Sequence, residues 1–433
     1  MKVVIMAGGR GTRISSVASD IPKPMIKISN KPVLEWEIEC LREQGLTDII
    51  ITVGHLGNII MEYFGDGSLV SPVTGKTFGV SIDYYIEESP LGNAGALFFL
   101  KKELKEDFLL LNADSIFNID FKRFIHYHKQ KGGLATIITH PNSHPYDSGL
   151  IIIDNNNAVT EWLSKEDNRP KWYSNRVNAG LHIINPKLLS HKIEAKKIDL
   201  DRDILRPLAG TGRLYAYDSS EYIKDMGTPE RYEAVCLDCS RGLIKSKKLS
   251  IKQKAVFLDR DGTINKYVPF LTNIDEFELL LGVAEAIKLI NESGYLAIVV
   301  TNQPVIARGE LSLSELSQIH MKMETLLGRE GAYLDKIFFC PHHPHKGYSG
   351  EVEELKILCD CRKPSPGMIL AAADEFNIDL SKSWMVGDKE DDILAGKRAG
   401  CKTVLLGTEN YDQDMTFKTL LEFVKECIIC SDE

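Results

Sequence analysis

Val256-Phe-Leu-Asp-Arg-Asp-Gly-Thr-Ile264 places two carboxylates, Asp259 and Asp261, two residues apart directly after an apolar run. The run predicts a buried strand, and side chains at i and i+2 of an extended chain point in the same direction. One carboxylate can therefore attack an electrophile while its neighbour transfers a proton. A β-turn and a calcium-binding loop are the alternative interpretations of this stretch.

Three partner motifs follow, at positions where an open α/β sheet would place a site. Leu296-Ala-Ile-Val-Val-Thr-Asn-Gln303 contains Thr301, a hydroxyl donor, and Cys361-Arg-Lys-Pro-Ser-Pro-Gly367 contains the cation Lys363. Trp384-Met-Val-Gly-Asp-Lys-Glu-Asp-Asp392 supplies Asp388, a hard oxygen ligand suited to Mg²⁺. In this order the motifs resemble the haloacid dehalogenase (HAD) superfamily, whose phosphatases form an aspartyl-phosphate intermediate.

A cluster of metal-ligating residues lies within the same half, at Cys340-Pro-His342 and Cys359-Asp-Cys361. Three thiolates and one imidazole satisfy tetrahedral zinc, and a site closed by four protein ligands is structural. His343 and His345 are alternatives to His342. The other interpretation is a set of solvent-exposed loop cysteines.

The combined motifs resemble D-glycero-D-manno-heptose 1,7-bisphosphate phosphatases, to which histidinol phosphatases are related. The resemblance covers about residues 251–433 and implies that Asp259 is the nucleophile and Asp261 the general acid/base. It implies Mg²⁺ ligands at Asp259, the Asp261 carbonyl and Asp388, with Thr301 and Lys363 acting on the phosphoryl group. Substrate contacts are implied at Asn302 and Arg362. The sequence departs from these phosphatases at Pro304-Val305, where Ser-Gly is common.

The N-terminal half opens with an apolar strand, Met1 to Ala7, followed by Gly8-Gly-Arg-Gly-Thr-Arg13. Glycines allow backbone amides to approach a polyphosphate, and arginines add charge-assisted hydrogen bonds. Ile21-Pro-Lys-Pro-Met25 follows, with two prolines stiffening the backbone around Lys23. An ordinary dinucleotide-binding fold is the alternative.

Over about residues 1–235 these motifs resemble the sugar-1-phosphate nucleotidyltransferases. The resemblance implies catalytic roles for Arg13 and Lys23, and an Mg²⁺ held by Asp114 and Asp225. The implied contacts to nucleotide or sugar are Gly8, Gly9, Arg10, Gly11, Thr12, Gly92, Asn93, Glu161, Lys165, Asn178 and Gly180. Asn93 replaces the family's usual Thr, and Glu166 replaces its frequent Pro.

Length and composition predict two folded domains, since 433 residues exceed the usual size of a single core and 43% are hydrophobic. We expect two α/β domains with mainly parallel sheets: a Rossmann-like nucleotidyltransferase fold over 1–238 and a HAD-like Rossmannoid fold with a zinc loop over 254–433. Between them, residues 239–253 form a basic stretch that predicts a linker.

The net charge of −9 argues against a nucleic-acid surface, so phosphate affinity must come from local basic pockets. No apolar run is long enough to span a bilayer, and Met1 leads directly into a strand. We therefore expect a cytoplasmic protein without membrane partners or disulfides.

The two halves suggest consecutive steps in making a nucleotide sugar for a surface polysaccharide. The phosphatase removes the 7-phosphate of heptose 1,7-bisphosphate, and the transferase then couples heptose 1-phosphate with GTP to give GDP-heptose and pyrophosphate. One alternative pairs a mannose or glucose 1-phosphate nucleotidyltransferase with a histidinol-phosphatase-like enzyme. Another makes one half a degenerate binding or regulatory module. The base, the anomer and the oligomeric state stay open.

Overall fold

The computed structural model describes residues 1–9, 20–189 and 197–430. The chain divides into two compact units by its internal contacts. The first comprises residues 1–139, 151–163 and 178–248, and the second comprises residues 140–150, 164–177 and 249–433. The division after Lys248 falls within the predicted linker, while the domain boundaries 1–238 and 254–433 stay a prediction.

The first half of the sequence forms thirteen strands and six α-helices within its described residues. The strands are β1 (Val3–Ala7), β2 (Lys27–Ile28), β3 (Lys31–Pro32), β4 (Asp48–Val53), β5 (Ser81–Ile86), β6 (Phe108–Asn112), β7 (Ser115–Asn118), β8 (Ala135–His140), β9 (Leu150–Ile153), β10 (Val159–Leu163), β11 (Val177–Ile184), β12 (Leu214–Asp218) and β13 (Tyr222–Asp225). The helices are α1 (Val33–Arg42), α2 (Gly57–Phe64), α3 (Gly95–Phe99), α4 (Phe121–Lys131), α5 (Pro229–Ser240) and α6 (Leu243–Ser246).

Nine of these strands form one mixed sheet, in which β1 lies between β4 and β6 and is parallel to both. β11 pairs antiparallel with β6, so the sheet is less uniformly parallel than expected. Alternate residues of β1 enter different cores: Val3 and Ile5 belong to one cluster and Val4 to another. A continuous apolar strand is therefore needed because both faces of the sheet are covered.

The second half forms six strands and five α-helices within its described residues. The strands are β14 (Lys254–Leu258), β15 (Tyr295–Asn302), β16 (Lys336–Cys340), β17 (Trp384–Gly387), β18 (Lys402–Leu406) and β19 (Met415–Phe417). The helices are α7 (Val283–Glu292), α8 (Leu313–Arg329), α9 (Gly367–Phe376), α10 (Glu390–Ala399) and α11 (Leu420–Phe423).

These six strands form a wholly parallel sheet in the order β16-β15-β14-β17-β18-β19. Val256 and Leu258 of β14 pack into one core cluster, and Ala255 and Phe257 pack into the other. Both faces are therefore buried, as parallel sheets require. The predicted pair of α/β folds is confirmed.

Helix signals in the sequence account for the crossovers of this sheet. Amphipathic stretches at 283–291 and 313–327 of the sequence correspond to α7 and α8. Ser312 caps α8, and Glu315 completes a capping box by accepting from the Ser312 amide. No helix of the described residues combines the length and apolar character that a membrane crossing requires.

Candidate active sites and metal centre

The carboxyl end of the parallel sheet gathers the polar residues predicted for one active site. β14 lies between β15 and β17 in the sheet. Asp259 directly follows β14, Thr301 is the second-last residue of β15, and Asp388 directly follows β17. The amide of Asp259 donates to the Val386 carbonyl at 2.9 Å, which fixes the end of β14 against β17. The sheet order thus places these residues at the edge where α/β folds bind ligands.

Lys363 is the cation of this site. Its Nζ lies 2.6 Å from Asp259 Oδ1 and 2.6 Å from Asp392 Oδ1, and it also donates to the Val300 carbonyl at 2.8 Å. Burial alone would lower the pKa of Lys363, but the charges of Asp259 and Asp392 raise it above its usual range. Lys363 is therefore held charged between two carboxylates.

Three carboxylates of this site lie close enough together to share a cation. Oxygens of Asp259, Asp388 and Asp392 all lie within 4.8 Å of one another. Burial raises the pKa of Asp259 to about 6, against the effect of Lys363, and burial together with the Asp259 charge raises that of Asp388 to about 6. Asp388 Oδ1 is buried and has no hydrogen-bond partner within the described chain. Hard oxygen ligands whose combined negative charge exceeds that of the one cation, Lys363, suit Mg²⁺.

Two glycines make room for these carboxylates. A Cβ at Gly262, where φ is +93°, would lie 2.3 Å from Asp388 Oδ2. A Cβ at Gly387 would lie 2.2 Å from Asp392 Oδ2. Sequence reasoning missed Asp392, although its position four residues after Asp388, in the first turn of α10, was a usable signal.

Asp261 is held by donors on both of its oxygens. Arg260, which is fully buried, donates from Nη2 to Oδ1 at 2.9 Å and to Oδ2 at 2.8 Å. Asn265 Nδ2 adds a hydrogen bond to Oδ1 at 3.0 Å. Burial would raise the pKa of Asp261, but Arg260 and the hydrogen bonds lower it below its usual range. Arg260 was not singled out from the sequence, although it lies between the two predicted carboxylates.

Asn302 and Arg362 contact the backbone around the same site. Asn302 Nδ2 donates to the Lys363 carbonyl at 2.9 Å, and the Lys363 amide donates to Asn302 Oδ1 at 3.0 Å. Arg362 Nη1 donates to the His342 carbonyl at 3.3 Å. Asn302 therefore fixes the backbone that carries Lys363.

The predicted zinc ligands form one cluster, with Cys340 at the end of β16 and the other three residues in the loops that follow. Ligand atoms of Cys340, His342, Cys359 and Cys361 lie within 4.8 Å of one another. Cys361 Sγ is 3.2 Å from Cys340 Sγ, 3.2 Å from Cys359 Sγ and 3.2 Å from His342 Nδ1. His343 Nδ1 instead lies 3.4 Å from the His345 carbonyl. The geometry thus selects His342 among the three candidate histidines, and the donor set fits tetrahedral zinc.

The first unit contains a separate cavity of about 410 Å³ at the carboxyl end of β1 and β6. Predicted residues that line it are Gly8, Gly9, Lys23, Gly92, Asn93 and Asp114. Lys23 Nζ lies 2.6 Å from Asp114 Oδ2. Glu87, which was not predicted from the sequence, also lines the cavity, and its Oε2 accepts from the Leu91 amide at 3.2 Å.

At two glycines that line this cavity, other parts of the chain pass too close to leave room for a side chain. A Cβ at Gly8 would lie 2.5 Å from Glu87 Oε1. A Cβ at Gly92, where φ is +78°, would lie 2.3 Å from the Ile198 carbonyl oxygen. Asn93 Oδ1 accepts from the Leu200 amide at 2.7 Å, so the loop is joined to a segment 107 residues further along the chain.

The other predicted residues of this half that the structure describes are not among the residues that line the cavity. Arg231 Nη1 lies 2.9 and 3.0 Å from the two carboxylate oxygens of Asp225. Asn178 Nδ2 lies 3.4 Å from Asp201, and a Cβ at Gly180 would lie 2.8 Å from Nδ2 of the cavity residue Asn112. Glu161 is exposed, and Lys165 Nζ lies 3.5 Å from Asp147. Arg10, Gly11, Thr12 and Arg13 lie outside the described residues.

Each half of the chain matches a known protein family. The nucleotidyl transferase family matches residues 2–241, and a HAD-hydrolase-like family matches residues 360–422. D-glycero-beta-D-manno-heptose-1,7-bisphosphate 7-phosphatase from Salmonella typhi is 43% identical over 152 residues, which is 35% of this chain and 79% of that protein. The chain belongs to the nucleotidyl transferase family and to the family of these 7-phosphatases.

The nucleotidyltransferase half also has specific relatives. Mannose-1-phosphate guanyltransferase 2 from Candida glabrata is 32% identical over 240 residues, or 54% of this chain. The match spans 63% of that relative, less than two thirds of its length. The structure of HddC from Yersinia pseudotuberculosis complexed with GMP-PN is 30% identical, covers 54% of this chain and 97% of that one, and has a TM-score of 0.45.

Proposed function

We propose that the chain is a bifunctional enzyme that removes the 7-phosphate of D-glycero-D-manno-heptose 1,7-bisphosphate and then joins heptose 1-phosphate to a nucleotide. The observation that carries the proposal is Lys363, buried between Asp259 and Asp392 beside Asp388, in the half related to the 7-phosphatases. The two activities belong to the two families found in this chain.

In the phosphatase reaction, an oxygen of Asp259 attacks phosphorus as the bond from phosphorus to the sugar oxygen breaks. Asp261 would give the leaving oxygen a proton, for which its carboxylate must first take up a proton and loosen its contact with Arg260. It would later take a proton from the water that hydrolyses the aspartyl-phosphate. Lys363 and the Thr301 hydroxyl stabilise the charge of the phosphoryl group. The burial of Asp259 and Lys363 supports these roles, because charge interactions are stronger away from water.

The metal proposals follow from the donor sets. Asp259 and Asp388, with the Asp261 carbonyl, would hold Mg²⁺ in the phosphatase half, and Asp392 is an additional candidate supported by its closeness to both carboxylates. Mg²⁺ supplies positive charge that offsets the phosphoryl oxygens. Cys340, His342, Cys359 and Cys361 would hold a structural Zn²⁺, which would order the loop that carries these ligands.

In the nucleotidyltransferase half, a sugar 1-phosphate oxygen attacks the α-phosphorus of the nucleotide and pyrophosphate leaves. Both reactants are anionic, so Lys23 would neutralise phosphate, with Arg13 in the same role. Asp114 and Asp225 would hold Mg²⁺ between the reactants. The position of Asp114 in the cavity wall supports this role, whereas Asp225 would have to exchange its contact with Arg231 for the metal.

GTP is the proposed nucleotide because of Glu87. Guanine presents two adjacent donors, N1–H and the 2-amino group, and a carboxylate offers two adjacent acceptors. Adenine presents an acceptor at N1, which a carboxylate does not complement. The guanyltransferase name of the Candida relative agrees with this choice.

The decisive experiment incubates the whole chain with each anomer of heptose 1,7-bisphosphate and each of the four nucleoside triphosphates, with product identification by mass. We expect inorganic phosphate, pyrophosphate and GDP-heptose. Mannose 1-phosphate serves as the competing acceptor, because one relative is a mannose-1-phosphate guanyltransferase. Preferential formation of GDP-mannose would contradict the heptose assignment, and absence of phosphate release would contradict the phosphatase assignment.

A further inference from the structure

Gln303 is a buried residue that the proposed phosphatase reaction does not use. It directly follows β15, and only 2% of its surface is exposed. Its backbone amide donates to the Cys340 carbonyl at 2.8 Å, which anchors it to the end of β16. The side chain therefore starts from a fixed point beside Thr301.

The amide group of Gln303 uses its oxygen and its nitrogen in different directions. Oε1 lies 3.2 Å from Nη2 of Arg260, and Nε2 lies 3.0 Å from Oδ2 of Asp261. Arginine offers only donors and a carboxylate only acceptors, so these two partners determine which end of the amide is the oxygen. The reverse orientation would oppose donor to donor and acceptor to acceptor.

This orientation determines the role of the neighbouring hydroxyl. Nε2 of Gln303 also donates to Thr301 Oγ1 at 2.9 Å, so the Thr301 oxygen is an acceptor in that bond. The hydroxyl hydrogen must therefore point elsewhere, and among the described side-chain contacts none accepts it. A phosphoryl oxygen is the natural acceptor, since it carries negative charge.

We propose that Gln303 is a positioning residue of the phosphatase site, which fixes the Thr301 hydroxyl as a donor toward the phosphoryl group and links it to Asp261. The inference rests on the proposed phosphatase function. Gln303 contacts the proposed acid/base Asp261. Among the described contacts it touches neither the nucleophile Asp259 nor the carboxylates of Asp388 and Asp392. We expect its effect on catalysis to pass through Thr301, because Asp261 keeps its hydrogen bonds from Arg260 and Asn265 when the Gln303 amide is removed.

A double-mutant cycle tests this coupling. Gln303→Met removes the amide with little change in shape, and Thr301→Val removes the hydroxyl. We expect Gln303→Met to lower kcat/KM for heptose 1,7-bisphosphate by roughly 10-fold in the wild-type background. In the Thr301→Val background the same change should cost less than about twofold, because the group it positions is already gone. Thr301→Ser retains the hydroxyl, so the roughly 10-fold effect should return there.

Gln253→Met is the matched control, since Gln253 is equally buried in the same unit, where its Nε2 donates to the Ile251 carbonyl. An equal loss in the wild-type and Thr301→Val backgrounds, or no loss in either, overturns the inference. The same set of variants can be compared without turnover, by measuring the affinity of each for inorganic phosphate by calorimetry. If the wild type releases phosphate neither from heptose 1,7-bisphosphate nor from p-nitrophenyl phosphate, the proposed function fails, and the calorimetric cycle still decides the role of Gln303.

Discussion

The Nζ atom of Lys363 lies 2.6 Å from Oδ1 of Asp259, and the two side chains are only 4% and 8% exposed. An ion pair in so little water is strong, and either partner alone would be a costly buried charge. Asp392 contacts the same ammonium, so Lys363 keeps a counter-ion if Asp259 changes. Asp259 can therefore be replaced while the Lys363 charge is still paired with Asp392.

We predict that Asp259→Asn abolishes phosphate release, because an amide cannot act as the nucleophile. Nucleotidyl transfer from a supplied heptose 1-phosphate should continue, since its groups belong to the other compact unit. Phosphate and pyrophosphate assays on the same preparation measure both outcomes. Asp275→Asn, which changes an exposed carboxylate of the second unit, should leave both activities intact. Loss of both activities in folded Asp259→Asn would contradict independent sites.

Zinc binding gives a second prediction. Cys359→Ser or Cys361→Ser should release one metal ion per chain and increase hydrogen exchange around Cys340, because structural metal binding is coupled to local folding. The control is Cys401→Ser, which changes a buried thiol outside the cluster and should retain the metal. The assignment fails if wild-type protein purified without chelator contains no zinc by elemental analysis.

The sequence predicted much of the fold because its strands have strong apolar patterns. β14, β15 and β17 are continuous apolar runs followed by polar motifs, and buried parallel strands require that composition. The strand ends also predicted Asp259 and Asp388, since the carboxyl ends of adjacent parallel strands meet. What the pattern did not indicate was the antiparallel pairing of β11 with β6, which depends on long-range packing.

The residues missed from the sequence are those whose roles depend on contacts between distant segments. The amide orientation of Gln303 depends on Arg260, which lies 43 residues earlier in the chain. Glu87 could be recognised as a candidate only once the folded chain placed it in the cavity wall. The pairing of Arg231 with Asp225 likewise depends on how α5 packs after β13. The roles predicted for Glu161 and Lys165 stay predictions, because neither side chain lies in the described lining of the cavity.

Glu37 gives a prediction about stability. Its side chain is completely buried in α1, and burial, with a smaller effect of the Asp114 charge, raises the pKa of its carboxyl well above the usual range. A carboxyl whose pKa is higher in the folded than in the unfolded chain favours unfolding as pH rises above the unfolded value of about 4.3. Glu37→Gln should therefore stabilise the first unit by about 1 kcal/mol near neutral pH, roughly 2–4 °C in melting temperature.

The gain from Glu37→Gln should be larger at pH 8 than at pH 5, where more of the native carboxyl is already protonated. Thermal melts at the two pH values measure this difference. Glu43→Gln is the control, because Glu43 is an exposed carboxylate at the end of the same helix. A gain that is equal at both pH values would show that ionisation of Glu37 does not destabilise the fold.

Nucleotide choice provides a prediction for Glu87. Glu87→Gln leaves one acceptor where guanine needs two, so kcat/KM for GTP should fall about 10- to 100-fold, with little change for ATP. Competition assays with both nucleotides measure the change in preference. Glu88→Gln, at the adjacent exposed position, should not alter it. An unchanged preference in Glu87→Gln would exclude this carboxylate from base recognition.

The ion pair between Lys23 and Asp114 gives the final prediction. Lys23→Ala removes a phosphate-neutralising cation, and Asp114→Asn removes a proposed Mg²⁺ ligand from the same pair. Losing one strong charge contact should cost on the order of 2–4 kcal/mol of transition-state stabilisation, about 30-fold to nearly 1000-fold in rate. Both changes should act mainly on turnover at saturating GTP, because charge reorganises at the α-phosphorus only during transfer.

Release of phosphate from the 7-position should continue, and Lys27→Ala, at an exposed position nearby, should retain both activities. Wild-type pyrophosphate release by folded Lys23→Ala or Asp114→Asn would remove that residue from the proposed site.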